Sequence, residues 1–316
     1  MDDDRAAGLV LGLACGDALG RPVEFETPAR ILAQYGEVTE MLADGTWGKP
    51  AGTVTGNTVL ARRLARSLVE RGEFDPADVA ERFVAWYGTT PTDVGDTTAA
   101  ALARIRDGEP WDAAGRRVRE TSSTPTDGNG CLARAAPLAV AFASQEEQLV
   151  DASVESSRIT HADPRCTAGC AVLTLTLSGL LSERSDPLSA ALDRVDPPDA
   201  LRESLGPVAT GDLAIDDLDS VSGDGDGVVD TLRTALWYGL TAETAEEALV
   251  AVVNRGGDAD TVGAVTGAIA GARFGADALP DRWLADLDDS DALRALARDL
   301  AALDVSGTPA RSERPE

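Results

Sequence analysis

The chain has 316 residues and a formal net charge of −26, from 54 Asp and Glu against 28 Lys and Arg. This balance excludes a typical nucleic-acid binder, because phosphate contacts need clustered Lys and Arg side chains. The acidic start at residues 2–4 argues against a signal peptide, and the apolar run at 6–16 is about half the length that spans a bilayer, so we expect a cytoplasmic protein with no membrane partner.

The residue types present favour helices and a salt-rich environment. Hydrophobic residues make up 43% of the chain but aromatic residues only 4%, so Ala, Leu and Val must build the core. Lys49 is the only lysine. An acidic, lysine-poor surface indicates a halophilic protein, because concentrated salt screens the repulsion between its charges. The four cysteines, with no CxxC pair, are expected to be buried free thiols.

The predicted elements, in chain order, are helices. The first covers 5–20 and has glycines at 8, 12, 16 and 20 on one face, which allows close approach of a neighbouring backbone. A helix predicted at Thr261–Phe274 has glycines at 263, 267 and 271 on one face. Between and after them we predict helices at 58–71, 75–87, 97–106, 131–143, 146–157, 164–181, 231–239, 242–253 and about 291–303.

The organisation of the chain favours one domain. A length prior of roughly 150 residues per domain suggests two. However, the turn residues between the predicted helices are evenly spaced, and no long linker separates the helices into two groups. Residues 183–230 are expected to be loops with one or two short helices, including a tight turn at 222–227. We therefore predict a single all-α domain at 1–305, followed by a disordered tail at 306–316.

The stretch that most suggests chemistry lies at 254–261. Gly256 and Gly257 break one helix, and Asp258, Asp260 and Thr261 open the next. Two carboxylates and a hydroxyl aimed at one point are hard oxygen ligands of the kind that Mg²⁺ or Mn²⁺ prefers. The alternative is that one of the aspartates merely caps the helix.

This stretch also carries a family resemblance. Residues 256–261, with the glycines of the helix after them, are similar to the C-terminal signature of the ADP-ribosylglycohydrolase family, which includes dinitrogenase reductase-activating glycohydrolase. Other segments match motifs of that family in the same order, over residues 8–275. They are Gly16-Asp17-Ala18-Leu19-Gly20 with Glu24, Asp93-Val94-Gly95-Asp96-Thr97-Thr98, Gly128-Asn129-Gly130 with Arg134, Thr160-His161 with Pro164, and Val228-Val229-Asp230-Thr231-Leu232.

The resemblance implies an all-helical fold with two Mg²⁺ ions in a central cleft. It implies hydrolysis of the bond between ADP-ribose and an ADP-ribosylated protein or small conjugate. The metal ligands carried over by motif are Glu24, Asp258, Asp260 and Thr261, and the substrate contacts are Asp93, Gly128, Asn129, Gly130 and His161.

The chemistry of such a site is coherent on general grounds. A cation orients the ribose hydroxyls and lowers the pKa of a water, and a carboxylate takes the proton of that water. Asp258, Asp260 or Glu24 can act as this catalytic carboxylate, and the sequence does not choose between them.

The chain departs from the family at one motif. Where the family has Thr-Asp-Asp-Thr, this sequence has Thr55-Gly56-Asn57-Thr58. Thr55 and Asn57 can still ligate a metal, but two negative charges are lost, so we expect one or two Mg²⁺ ions, with Mn²⁺ as the other suitable ion. Three interpretations stay open: a weakened hydrolase, an ADP-ribose-binding protein without catalysis, or a deliberately inactivated form.

Overall fold

The computed structural model describes residues 2–215, 218, 227–303 and 305. It confirms the all-α prediction: extended pairing in these ranges is limited to two isolated bridges, Asp44 with Lys49 and Gly128 with Gly227. The α-helices, numbered α1 to α17 in chain order, are Asp3–Gly20, Pro28–Tyr35, Gly56–Arg71, Pro76–Tyr87, Asp96–Arg106, Trp111–Thr121, Leu132–Ala135, Pro137–Ala141, Glu146–Arg158, Pro164–Leu181, Pro187–Val195, Asp199–Thr210, Val228–Thr241, Ala245–Val253, Ala259–Phe274, Asp281–Asp286 and Ser290–Ala301.

The centre of the fold is the antiparallel pair of α1 and α15. The glycine faces, predicted to allow close packing, turn out to face each other: a Cβ at Gly16 would lie 1.9 Å from the carbonyl oxygen of Gly263, and one at Gly12 would lie 2.2 Å from that of Gly267. No side chain fits between the two backbones at these points. This contact places the C-terminal end of α1 beside the N-terminal end of α15, where the candidate site lies.

Helices α1 and α10 are both long and apolar. By length and composition both could cross a membrane, but the apolar window is 100% buried inside the fold for the first and 78% buried for the second. Core helices of folded domains have the same composition. The predicted buried thiols are confirmed, since Cys15, Cys131, Cys166 and Cys170 are free and buried.

Several elements differ from the sequence prediction. The single helix expected at 131–143 is wrong, because it divides into α7 and α8 at Pro137, which has no N–H to donate to the preceding turn. Helices α2, α6 and α16 were missed, although a proline stands at or just before the first residue of each.

The region 183–230 agrees with its prediction where the structure describes it. Two helices, α11 and α12, occupy 187–210, and α13 begins at Val228. Most of the predicted turn at 222–227 and the predicted tail at 306–316 lie outside the described residues.

Candidate metal and substrate site

The candidate metal site is a cluster of three buried carboxylates. One oxygen from each of Glu24, Asp258 and Asp260 lies within 4.8 Å of the other two. Glu24 follows a short 3-10 turn after α1, Asp258 directly precedes α15, and Asp260 lies in its first turn. The glycine contact between α1 and α15 therefore brings together acidic side chains that are more than 230 residues apart in the chain.

Two loops lock this arrangement. The Phe25 N–H donates to the Gly257 carbonyl oxygen at 2.7 Å, and the Gly257 N–H donates to the Glu26 carbonyl oxygen at 3.0 Å. Gly256 and Gly257 both have positive φ angles, and a Cβ at Gly256 would lie 2.0 Å from the Glu26 carbonyl oxygen. Both glycines are thus favoured by their backbone conformation, and Gly256 also by the close approach of the loop that carries Glu24.

The electrostatics of the cluster call for a cation. Burial raises the pKa of Glu24 to about 7, and repulsion from Asp258 adds to the rise while the hydrogen bond from Trp47 opposes it. Burial, then repulsion from Asp258 and Glu24, also raises the pKa of Asp260 well above its ordinary value. A bound divalent ion would relieve this repulsion and stabilise the ionised forms. Buried carboxylate oxygens at this spacing fit a hard cation.

Asp258 stands at the N-cap position of α15, but its side chain makes no capping hydrogen bond. Instead its Oδ2 accepts a hydrogen bond of 2.6 Å from Asn129 Nδ2, which also donates to Thr231 Oγ1 at 2.8 Å. The interpretation of Asp258 as a helix cap is therefore wrong, and its carboxylate is held toward the cluster by a substrate-motif side chain.

The altered Thr-Gly-Asn-Thr motif forms the N-terminus of α3 and lies against the cluster. Thr55 Oγ1 donates to Asp17 Oδ1 at 2.7 Å and lies 3.0 Å from Asp260 Oδ2. Asn57 Nδ2 donates to Asp260 Oδ2 at 3.2 Å and to Thr261 Oγ1 at 3.0 Å. Asn57 therefore presents amide N–H groups, and no negative charge, to this side of the cluster.

Gly56 lies on the same side of the cluster as Asn57. Its N–H donates to Asp93 Oδ2 at 2.6 Å, which places the predicted substrate contact Asp93 beside the motif. A Cβ at Gly56 would lie 3.1 Å from the Trp86 ring and 3.7 Å from Asp93 Oδ2. A cavity of about 340 Å³ opens here, and its lining includes Trp47.

The predicted substrate contacts form a second group next to the cluster. Gly128 pairs with Gly227, which anchors the Gly-Asn-Gly loop to the start of α13. A Cβ at Gly130 would lie 3.4 Å from His161 Cε1 and 3.3 Å from Thr98 Oγ1. The structure thus places the loop against His161 on one side and, through Asn129, against Asp258 on the other. The binding roles of these residues stay predictions.

Sequence reasoning missed residues that support the site. Asp17 is fully buried, and its Oδ2 accepts hydrogen bonds from the Thr55 N–H and the Thr58 N–H, both at 3.0 Å. Burial raises the pKa of Asp17 to about 6, against the opposing effect of these hydrogen bonds. The only sequence signal for Asp17 was its position inside the Gly16–Gly20 motif. Trp47, whose Nε1 donates to Glu24 Oε2, carried none.

Arg21 was also missed, although it shapes the loop that carries Trp47. Its guanidinium is buried and donates to the carbonyl oxygens of Leu42, Asp44, Lys49, Pro50 and Thr53. One side chain thus fixes the path of residues 42–53 over the carboxylates.

Comparison with known proteins supports the same interpretation. The chain is 33% identical over 291 residues to the ADP-ribosyl-[dinitrogen reductase] glycohydrolase of Rhodospirillum rubrum, covering 90% of each protein. It is 31% identical over 309 residues to the ADP-ribosylarginine hydrolase Tri1 of Pseudomonas putida, covering 94% of this chain and 78% of that one.

A solved structure described as an ADP-ribosylglycohydrolase-related protein complex superposes with a TM-score of 0.79 at 34% identity, over 95% of this chain and 98% of that one. The model of the family described as ADP-ribosylglycohydrolase matches residues 1–309. The all-helical fold, the ordered motifs and these matches lead to one conclusion: the chain belongs to the ADP-ribosylglycohydrolase family.

Proposed function

We propose that this chain is a hydrolase that releases ADP-ribose from an ADP-ribosylated protein side chain or small conjugate, with one Mg²⁺ ion held by Glu24, Asp258 and Asp260. The observation that carries the proposal is the convergence of these buried carboxylates next to the Gly-Asn-Gly loop and His161. The relatives in Rhodospirillum rubrum and Pseudomonas putida are named for this class of reaction.

The donor set supports Mg²⁺, with Mn²⁺ as the ion closest to it in ligand preference. Hydroxyls of Thr55 and Thr261 border Asp260 and can complete the oxygen shell. Asn57 already offers N–H groups to Asp260 and Thr261, so part of the negative charge on that side is satisfied without a cation. This favours one ion over two.

When bound, the ion would orient ribose hydroxyls and acidify a water. Glu24 is the best-placed proton acceptor, because the Trp47 indole N–H holds its Oε2 beside the other two carboxylates of the cluster. Asp258 is held in place by Asn129 and serves as a ligand. Backbone groups at Gly128 and Gly130, where there is no side chain, can come close to phosphate oxygens.

The test is release of ADP-ribose from ADP-ribosyl-arginine in concentrated KCl, with and without Mg²⁺. We expect Mg²⁺-dependent turnover in the native chain and a loss of about a thousandfold in Asp258→Ala, which removes a ligand to the ion and one of the two acceptors of Asn129. Equal turnover in the native chain and Asp258→Ala would contradict the proposal.

Asn57 also favours a second candidate function, an ADP-ribose-binding protein without catalysis. A neutral amide in place of a carboxylate weakens cation binding while it leaves the Gly-Asn-Gly loop and His161 in place. Calorimetry with ADP-ribose distinguishes the two. Binding that persists in EDTA, together with no turnover at millimolar substrate, would select the binding-only function.

A further inference from the structure

Arg134 is a buried cation that makes no ion pair with a carboxylate in the described part of the chain. Its side chain is 1% exposed, and its guanidinium carbon lies 5.3 Å from the centre of the Phe83 ring. Nη1 donates to the Gly130 carbonyl oxygen at 2.9 Å, and Nη2 donates to Thr160 Oγ1 at 2.7 Å. A buried cation without a carboxylate partner is costly, so its contacts indicate what it does.

The contact with Thr160 determines where the threonine proton goes. Because a guanidinium can only donate, Thr160 Oγ1 is the acceptor in this hydrogen bond. The same oxygen lies 2.7 Å from His161 Nδ1. Among the described residues, Nδ1 is the acceptor within hydrogen-bond distance of the Thr160 hydroxyl, and the neighbouring cation polarises the O–H toward it. Nδ1 therefore accepts, and a neutral ring carries its proton on Nε2.

The ring is neutral over the working pH range. Burial lowers the pKa of His161 to about 4, Arg134 acts in the same direction, and Cys131 opposes it. His161 is 2% exposed. Arg134 and Cys131 are the charged or titratable groups that act on the ring.

The other ring nitrogen points toward the substrate loop. A Cβ at Gly130 would lie 3.7 Å from His161 Nε2. The nitrogen therefore lies beside the loop at a position where the loop carries no side chain. Arg134 holds the carbonyl oxygen of the same glycine. One guanidinium thus positions both the loop and, through Thr160, the histidine.

We propose that Arg134 and Thr160 are positioning residues that hold His161 as its Nε2–H tautomer, so that the ring presents a hydrogen-bond donor beside Gly130. The recipient of that hydrogen bond, a phosphate or ribose oxygen of the substrate, rests on the proposed function. The tautomer itself does not. His161 in this arrangement is a neutral donor and takes no part in proton transfer.

The single histidine makes this directly measurable. Tag-free protein labelled with ¹⁵N-histidine gives one set of imidazole signals in a two-bond ¹H–¹⁵N correlation spectrum, in which protonated and unprotonated nitrogens are well separated. We expect a protonated Nε2, an unprotonated Nδ1, and no change between pH 8 and pH 5.5. A protonated Nδ1, or a ring that titrates near pH 6.5, would overturn the proposal.

Two variants of Thr160 separate positioning from packing. Thr160→Ser keeps the hydroxyl and should keep the spectrum, whereas Thr160→Val removes it and should shift protons onto Nδ1. Thr176→Val is the matched control, because Thr176 is buried in α10 and donates only to the Val172 carbonyl oxygen. A Thr160→Val spectrum identical to that of the control would show that the Thr160 hydroxyl does not set the tautomer, and would overturn the proposal.

Variants of Arg134 test whether its guanidinium orients the Thr160 hydroxyl toward His161. Arg134→Met removes the cation and should mix the tautomers, while Arg134→Lys keeps a cationic donor and should restore part of the Nε2–H form. If Arg134→Met unfolds, the Thr160 pair decides the proposal without it.

Activity gives a second readout. Thr160→Val should lower kcat/KM about tenfold, as for one lost hydrogen bond in a buried site. Thr160→Ser should keep kcat/KM within about twofold of the native value. A chain with the expected tautomer but no turnover would contradict the proposed function alone. Turnover with the opposite tautomer would contradict this inference alone.

Discussion

The two sides of the carboxylate cluster contrast sharply. On one side, Glu24, Asp258 and Asp260 are held by backbone pairing, by the glycine contact between α1 and α15, and by Asn129. On the other, Gly56 contributes no side chain and Asn57 contributes an amide. The comparison shows that the uncharged side is as firmly built as the acidic one, since Asp17 holds both Thr55 and Thr58 in place.

The largest expected effect comes from making the two sides alike. Gly56→Asp with Asn57→Asp restores two carboxylates, and we expect bound Mg²⁺ to rise from one to two per chain and the hydrolysis rate to rise by about tenfold to a hundredfold. Asn57→Asp alone should account for most of the gain, because a side chain at Gly56 meets Trp86 and Asp93. Metal analysis after gel filtration and initial rates provide the measurement. An unchanged metal content in the double variant would contradict the claim that the lack of carboxylates at 56 and 57 limits the site to one ion.

The intact side can be broken at its support. Gly16→Ala places a Cβ 1.9 Å from the Gly263 carbonyl oxygen, so α1 and α15 must separate. We expect a loss of about 2–3 kcal/mol in the free energy of unfolding and weaker Mg²⁺ binding. Chemical denaturation with and without Mg²⁺ measures both. Gly206→Ala, at a helical glycine with nothing within 4 Å of its Cβ, is the control and should be neutral or slightly stabilising. Equal stability of the two variants would exclude a supporting role for the glycine contact.

The pH dependence of the metal-free protein sharpens the same comparison. The folded-state pKa values of about 7 for Glu24 and about 6 for Asp17 are above their ordinary values, so the folded state binds these protons more tightly than the unfolded state. Their contribution to stability is full below the ordinary carboxyl pKa and is lost as pH rises through about 6 to 7. In EDTA and constant KCl, Tm should fall by a few degrees between pH 6.5 and pH 8.

Added Mg²⁺ should reverse this loss and should raise Tm more at pH 8 than at pH 6.5, because the ion competes with the protons. Staying at or above pH 6.5 avoids the effect of His161. Its lowered pKa of about 4 removes stability only as pH falls below the ordinary histidine value. A Tm in EDTA that rises toward pH 8 would show that these carboxylates are not buried together.

The smallest effect concerns Trp47, which donates to Glu24. Trp47→Phe keeps a ring but removes the N–H, so the pKa of Glu24 should rise further and the acidic limb of the kcat/KM profile should move to higher pH, with a loss of about threefold at pH 7. Trp237→Phe is the control, since the Trp237 indole N–H donates to the Leu213 carbonyl oxygen instead. A shift of the same size in both variants would show that the pH effect does not depend on the hydrogen bond from Trp47 to Glu24.

The sequence predicted what periodicity and motif order encode. The helical class, the glycine faces of α1 and α15, and the joint position of Glu24, Asp258 and Asp260 all follow from local spacing or from family motifs. The break at Pro137 was overlooked because apolar residues continue across it. Asp17 and Trp47 could not be assigned because their roles depend on tertiary contacts: Asp17 accepts from Thr55 and Thr58, and Trp47 lies in the 42–53 loop whose path Arg21 fixes.

The most direct test of the central claim is a crystal structure of the native chain grown with Mn²⁺ and measured for anomalous scattering. We expect one strong anomalous peak within ligand distance of Glu24, Asp258 and Asp260, with Thr55 or Thr261 as a further oxygen donor, and no second peak beside Asn57. The absence of a peak at the three carboxylates, or a peak away from them, would contradict the proposed metal site.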